Sequence, residues 1–301
     1  MRNGRRGGCK VYYGAVVQGV VMGCIYGLTT LGVNIIFGIM KIVNWANNSL
    51  LMVSMYIIFG VVTLTGTNPY VAMLVAAPIM FCFGWAFQHT VIRPLYRRET
   101  EKNPYGLLLC TAGLGIALEN ITLMLLKSTP RTIKMGITQI YVDVGFGASV
   151  SLVKIIGAVI AVATTATLWA FMSKSYAGRA LRSTAQDRDA ARLMGINVMR
   201  YYDLAFGIGC GICAIAGCVY STFYQITPSS GATVGHKAFI ILVLGGIESV
   251  PGCLLAGVLL GVVEAVGAML FNSYIGEMLC FVVFVLVLFF RPNGLFGRRA
   301  R

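Results

Sequence analysis

The 301-residue chain is 57% hydrophobic and only 11% charged, with a mean hydropathy of +0.80, whereas soluble domains carry roughly 45–50% apolar and 25% charged residues. That composition excludes a water-soluble globular domain and demands a lipid bilayer as partner. The formal charge of +14 falls in short loops between apolar runs rather than along one stripe, which is the pattern of cytoplasmic membrane loops and argues against nucleic acid.

In chain order, residues 1–10 carry Arg2, Arg5, Arg6 and Lys10 and read as a disordered N-terminal extension. The apolar run that follows is far longer than the 7–15 residues of a signal-peptide core, so it reads as a first membrane helix over 11–38. Residues 42–52 read IVNWANNSLLM and place Asn44, Asn47, Asn48 and Ser49 inside strongly apolar sequence. Amides there predict a broken helix at membrane depth, tolerated only where protein or a water-filled cavity satisfies the backbone. Two roles remain open: lining a path for a solute, or hydrogen bonding neighbouring helices.

Further spans are expected near 48–65, 70–92, 105–126, 152–173, 201–223, 236–247, 251–271 and 275–290, and the run at 236–247 is short enough to re-enter. The fold class is therefore an all-α integral membrane protein, a polytopic bundle of about eight or nine transmembrane helices forming a single domain over 1–301. Glycines at four-residue spacing (Gly19, Gly23 and Gly27; Gly207 and Gly211; Gly257 and Gly261) mark seams of close helix packing. Most of the nine cysteines lie in apolar runs, where a thiol is a small hydrophobe, and the Cys210–Cys213 spacing reads as helix packing. The loop 127–150 has the loose alternation of a short hairpin.

Basic residues in the loops 93–104 and 174–200, together with the Arg298, Arg299 and Arg301 tail, place those segments in the cytoplasm. Alternating the spans backward puts the N-terminus outside, in conflict with its four basic residues. Glu119, with Asn120 beside it, and Glu264 are acids within or at the ends of spans, and such groups are candidates for the path. His89 and His236 are remote from one another with no acid adjacent in sequence, so no metal and no cofactor is expected.

The loop 174–200 contains an amphipathic helix expected over Ala185–Met194, with Thr184 and Asp187 as a capping box and Gly195 as its left-handed end. On pattern alone it rests on the protein's own surface or the lipid headgroups, or docks on a partner. Its core, Asp187–Arg188–Asp189–Ala190–Ala191–Arg192–Leu193–Met194–Gly195, resembles the E-A-A-x-x-x-G coupling motif of ABC importer permeases, with Asp for Glu. Gly23–Leu28, Val43–Ala46, Arg93–Leu95, Leu118–Asn120, Lys237–Phe239, Leu244–Gly246 with Pro251–Gly252, and Phe290–Gly297 resemble the permease subunits of branched-chain amino acid importers over the chain after Val11. The sequence departs from that pattern at Asn47–Asn48, where His-Gly is usual, and at Glu248, where Gly is common.

The resemblance implies a passive conduit for branched-chain or other hydrophobic amino acids, with Arg188 and Asp189 as polar contacts and Leu193 and Met194 filling a groove on an ATPase. It implies as partners two ATP-binding subunits, a second related permease subunit and a periplasmic solute-binding protein, in the inner membrane of a bacterium. Consistent with a non-enzymatic role, the chain has no G-x-x-x-x-G-K-[ST] phosphate loop. The alternatives are a permease of the same family for urea or short amides, or an ion-coupled secondary transporter, which would require more intramembrane charge.

Overall fold

The computed structural model describes residues 3–98, 105–133, 140–143, 149–291 and 294–297. Arg2, Arg298, Arg299 and Arg301, and residues 99–104, 134–139, 144–148 and 292–293 of the loops and motifs above, lie outside the described residues. Twelve α-helices and one two-stranded sheet make up the regular structure among the described residues. Among the described residues, eight helices are long and apolar enough to cross a membrane. The expected spans all appear, most with ends shifted by a few residues. The largest shifts are the two discussed next.

Helix α1 spans Asn3–Met40, so residues 3–10 continue the first helix where an extension was expected. At 1.5 Å per residue its 38 residues reach about 57 Å, well beyond a hydrocarbon core of about 30 Å. Helix α2 (Asn47–Thr65) follows the break. Helix α3 (Pro69–Phe87) continues through a π-helical turn (Gln88–Ile92) into α4 (Arg93–Arg98), and α5 (Tyr105–Leu126) returns. Strands β1 (Tyr141–Asp143) and β2 (Ser149–Ser151) pair antiparallel with Val142 opposite Val150, so the loop does hold a short hairpin. Helix α6 (Leu152–Lys174), the loop helices α7 (Tyr176–Gln186) and α8 (Arg188–Leu193), and α9 (Val198–Ser221) come next. Helices α10 (Ser230–Gly245), α11 (Val250–Leu270) and α12 (Ser273–Phe290) close the bundle. Helix α10 starts six residues before the expected run and remains, at 16 residues, the shortest of the bundle's long apolar helices.

The core lies along α1 and α9, which are the most buried spans, while α3, α5, α6 and α12 have the smallest share of buried residues. The glycine stripe makes the closest seam. A Cβ at Gly23 would stand 2.5 Å from Val258 Cα, and one at Gly261 would meet Gly19 and Gly23, so α1 and α11 pack antiparallel with backbones touching. Cys210 packs on Gly84 and Cys213 on Gly32, in keeping with thiols used as small hydrophobes.

Candidate functional site

Helix α1 ends where Gly38 meets Glu248 in the α10–α11 turn, at the same end of the bundle as Trp169, Met172 and Arg182 of α6 and α7. From there Lys41–Ala46 runs without helical structure back into the bundle. Val43 O accepts from Thr111 Oγ1 at 3.4 Å, and Gly115 of α5 admits Ala46 and Ser49. The break is therefore real and lies inside the protein, as the four amide and hydroxyl residues predict.

Its polar groups are mostly committed. Asn44 Oδ1 accepts from the Ala46 N–H at 3.1 Å, a local turn that replaces a lost helical bond. Asn47 is buried and its Oδ1 accepts from Cys213 Sγ at 3.2 Å. The Asn48 side chain lies tight against Gly235 of α10, a close approach that only glycine permits. Two groups remain without a partner among the described residues: Asn44 Nδ2, a donor, and Asn48 Oδ1, an acceptor. Trp45 projects outward, 59% exposed, with its ring 6.4 Å from that of Phe239.

The other path candidates do not join this group. Glu119 and Asn120 lie on the exposed side of α5, and Asn120 Nδ2 donates to Ile116 O of its own helix. Glu264 belongs to a separate cluster, in which Lys237 Nζ donates to Glu264 Oε1 at 2.8 Å and lies 3.2 Å from Glu277 Oε1. Sequence reasoning missed Lys237 and Glu277 as site residues, although a lysine inside the short apolar run of α10 was the available signal. It also gave His89 no acidic partner. Asp203, 114 residues away in the chain, places its Oδ2 3.1 Å from His89 Nδ1 and 3.4 Å from Arg93.

The loop 174–200 differs in detail from its expected form. Thr184 is not a cap: it lies within α7 and its hydroxyl donates to Ala180 O. Asp187 is the N-cap of α8, its Oδ1 accepting from Asp189 N and Ala190 N at 2.9 and 3.0 Å. At the other end Gly195 has φ +80, with Ile196 N bonded to Ala191 O and Gly195 N to Arg192 O. That pair of bonds is a Schellman motif. Arg192 reaches back to Asp189 at 3.3 Å. Ala191 is buried beneath the helix, while Leu193 and Met194 are 89% and 82% exposed. Arg188 turns inward, its Nη1 donating to Tyr96 OH at 2.5 Å, and Tyr96 packs edge-on against Tyr202 of α9. The loop is thereby tied to α4 and α9.

Comparison with known proteins matches residues 15–288 to the family described as "Branched-chain amino acid transport system / permease component". The chain belongs to this family of permease components. The permease protein BraD of Pseudomonas aeruginosa is 33% identical, over 95% of this chain and 96% of its own. LivH of Escherichia coli is 29% identical over 93% and 94%. A probable LivH permease of Methanocaldococcus jannaschii is 20% identical over 90% and 88%. The relatives are transport permease proteins, and this chain is a multi-pass membrane permease of the same kind.

Proposed function

We propose that this permease forms part of the translocation path for branched-chain or similar hydrophobic amino acids in an ABC importer of the bacterial inner membrane, driven by separate ATPase subunits. The observation that carries the coupling half of this reading is α8. Its ends are capped by Asp187 and Gly195, and it presents Leu193 and Met194 almost fully exposed at the tip of a polar loop. Two large apolar side chains held on a rigid, tethered helix form a knob for a hydrophobic groove. Motion of that knob would reach the bundle through Arg188–Tyr96 and Tyr202.

The path half rests on the break. Asn44 Nδ2 and Asn48 Oδ1 are a buried donor and a buried acceptor without a partner among the described residues, and the break and α10 also bring the apolar rings of Trp45 and Phe239 to 6.4 Å of each other. A zwitterion with an aliphatic side chain needs both polarities and an apolar wall. The full assembly in this reading holds two ATP-binding subunits, a second related permease subunit and a periplasmic solute-binding protein, whose pocket sets most of the specificity.

The test is purification of the chain from its native membrane, as wild type and as the Leu193→Ala/Met194→Ala double variant. The wild type should bring down a P-loop ATPase and a second polytopic subunit. The double variant should keep the second permease and lose the ATPase. An unchanged ATPase yield would remove the docking role of α8.

A further inference from the structure

Between α1, α6, α7 and the α10–α11 turn the structure encloses a cavity of about 250 Å3, at the end of the bundle that carries the loop 174–200. Its lining combines apolar side chains with a cation. Ile35 and Ile39 of α1, Met172 of α6 and Phe296 of the tail supply the apolar part, and Arg182 of α7 the charge. Trp169 of α6 also lines the cavity, yet it is 54% exposed. It continues, at helical spacing, an outward stripe that includes Val159 and Val162. The cavity therefore opens onto the outer face of α6. Since α6 ends at Lys174, Trp169 lies about 8 Å from the end of its span, the depth at which tryptophans mark a membrane–water boundary.

The polar groups of the lining select the ligand. Its acceptors are engaged: the Glu248 carboxylate pairs with Lys41, Asn34 Oδ1 accepts from the Glu248 N–H at 3.1 Å, and Ser249 Oγ accepts from the Gly252 N–H at 3.1 Å. Its cation is not. Arg182 has no ion pair among the described residues, and its Nη2 donates to Ser173 O at 3.5 Å, the long limit of a hydrogen bond. A guanidinium holds five N–H donors in a fork that matches phosphate. Spare donors beside engaged acceptors suit an anion with an apolar part, and suit an amino-acid zwitterion less. The volume is below the roughly 300–1,000 Å3 of sites that enclose a whole drug-sized ligand. It fits one end of a longer molecule whose remainder leaves past Trp169.

We infer that this cavity is a site for one anionic phospholipid of the leaflet next to the loop 174–200. Arg182 takes the phosphate, Ile35, Ile39, Met172 and Phe296 surround the glycerol and the first methylenes, and the chains pass Trp169 to run along the outer face of α6. A basic pocket between helices at the membrane surface is the form that headgroup recognition takes. Because its walls come from α1, α6, α7 and the α10–α11 turn, the lipid ties α7 of the loop to the bundle. The site itself is independent of the solute. Its consequence, a steadier base for α8 during coupling, rests on the importer reading.

The experiment is a melting series on the delipidated permease complex in detergent, with phosphatidylglycerol, phosphatidylcholine, inorganic phosphate or leucine added. In the wild type, phosphatidylglycerol should raise the melting temperature above phosphatidylcholine, and inorganic phosphate and leucine should not raise it. R182Q should weaken the apparent affinity for phosphatidylglycerol about tenfold or more, the scale of a lost hydrogen bond to a charge. R179Q removes an exposed arginine of the same helix that does not line the cavity, so it should keep the wild-type shift. R182K retains the charge without the fork and should keep part of the preference, which guards against R182Q failing to fold. Equal melting of the wild type in the two lipids would overturn the inference. Equal losses in R179Q and R182Q would do so too, by assigning the shift to diffuse attraction, as would a response to inorganic phosphate or leucine alone. Since it reads the chain's own melting, the assay can fail while ATPase co-purification succeeds, and the reverse.

Discussion

Glu248 shows how a single residue can combine strain with a contact. Its φ is +76, a left-handed conformation that L side chains rarely adopt, which explains why the family resemblance leads one to expect glycine there. Its backbone N–H donates to Asn34 Oδ1 at 3.1 Å, and its carboxylate pairs with Lys41, itself at φ +57. Both side chains are substantially exposed, so the pair contributes at most about 1 kcal/mol, comparable with the roughly 1–2 kcal/mol of left-handed strain. Glu248→Gly should therefore change stability by less than about 1 kcal/mol, whereas the β-branched Glu248→Ile should lower it by about 2 kcal/mol. Thermal melts of the purified chain decide this, and a large loss for the glycine variant would show that the ion pair outweighs the strain. At the break the expectation concerns activity. Asn47→Leu with Asn48→Leu removes an acceptor used by Cys213 and the orphaned Asn48 Oδ1, so uptake in a reconstituted complex should fall at least about tenfold with assembly intact. Normal uptake would make the amides structural only.

At the scale of elements, the seam between α1 and α11 leaves no room for a side chain. Gly23→Val would drive a branched side chain into Val258 and Gly257, at an overpacking cost of about 1–3 kcal/mol or more. Gly60 of α2 meets nothing within 4 Å of a built Cβ, so Gly60→Val is the control and should leave the melting temperature close to wild type. Equal behaviour of the two would separate α1 from α11. The stripe was legible because Gly19, Gly23, Gly27, Gly257 and Gly261 repeat every four residues, and the long spans because 18 or more apolar residues have few other readings. The break was legible for the opposite reason: four polar side chains interrupt such a run. What stayed hidden depended on distance along the chain. Lys237 and Glu264 are 27 residues apart, and His89 and Asp203 are 114 apart, and no local pattern encodes such meetings. The cap of α8 was misplaced because Thr184 and Asp187 both carry capping oxygens, and only burial decides that Thr184 turns into α7.

The topology of the C-terminal part turns on α10. Eight long helices alone would bring the chain back to the side on which it began, and both termini would then lie on the face opposite the loop 174–200. Helix α10, however, follows Ile226, which is bridged to Arg131 beyond the far end of α5, and leads to Glu248, which meets Gly38 at the coupling end. Its 16 residues reach only about 24 Å, and the non-helical segments on either side cover the remaining depth. The five spans before the loop 174–200, α1, α2, α3 with α4, α5 and α6, place the start of α1 on the face opposite that loop, the same placement that backward alternation of the spans gives from sequence, and the ninth passage returns the end of α12 to the loop's side. Arg2, Arg5, Arg6 and Lys10 then stand against the usual preference of basic residues for the cytoplasm. The coupling loop carries Lys174, Arg179, Arg182, Arg188, Arg192 and Arg200 in one short stretch, and seams such as Gly23–Val258 fix α1 antiparallel to α11 wherever its ends lie. An epitope inserted before Asn3 should therefore bind antibody on intact spheroplasts, while one inserted in the coupling loop after Ser175 should bind only after lysis. Binding of the first epitope only after lysis would mean that one of the five spans before the loop 174–200 does not cross, and the α1 seam with α11 could not then run the full depth of the bundle.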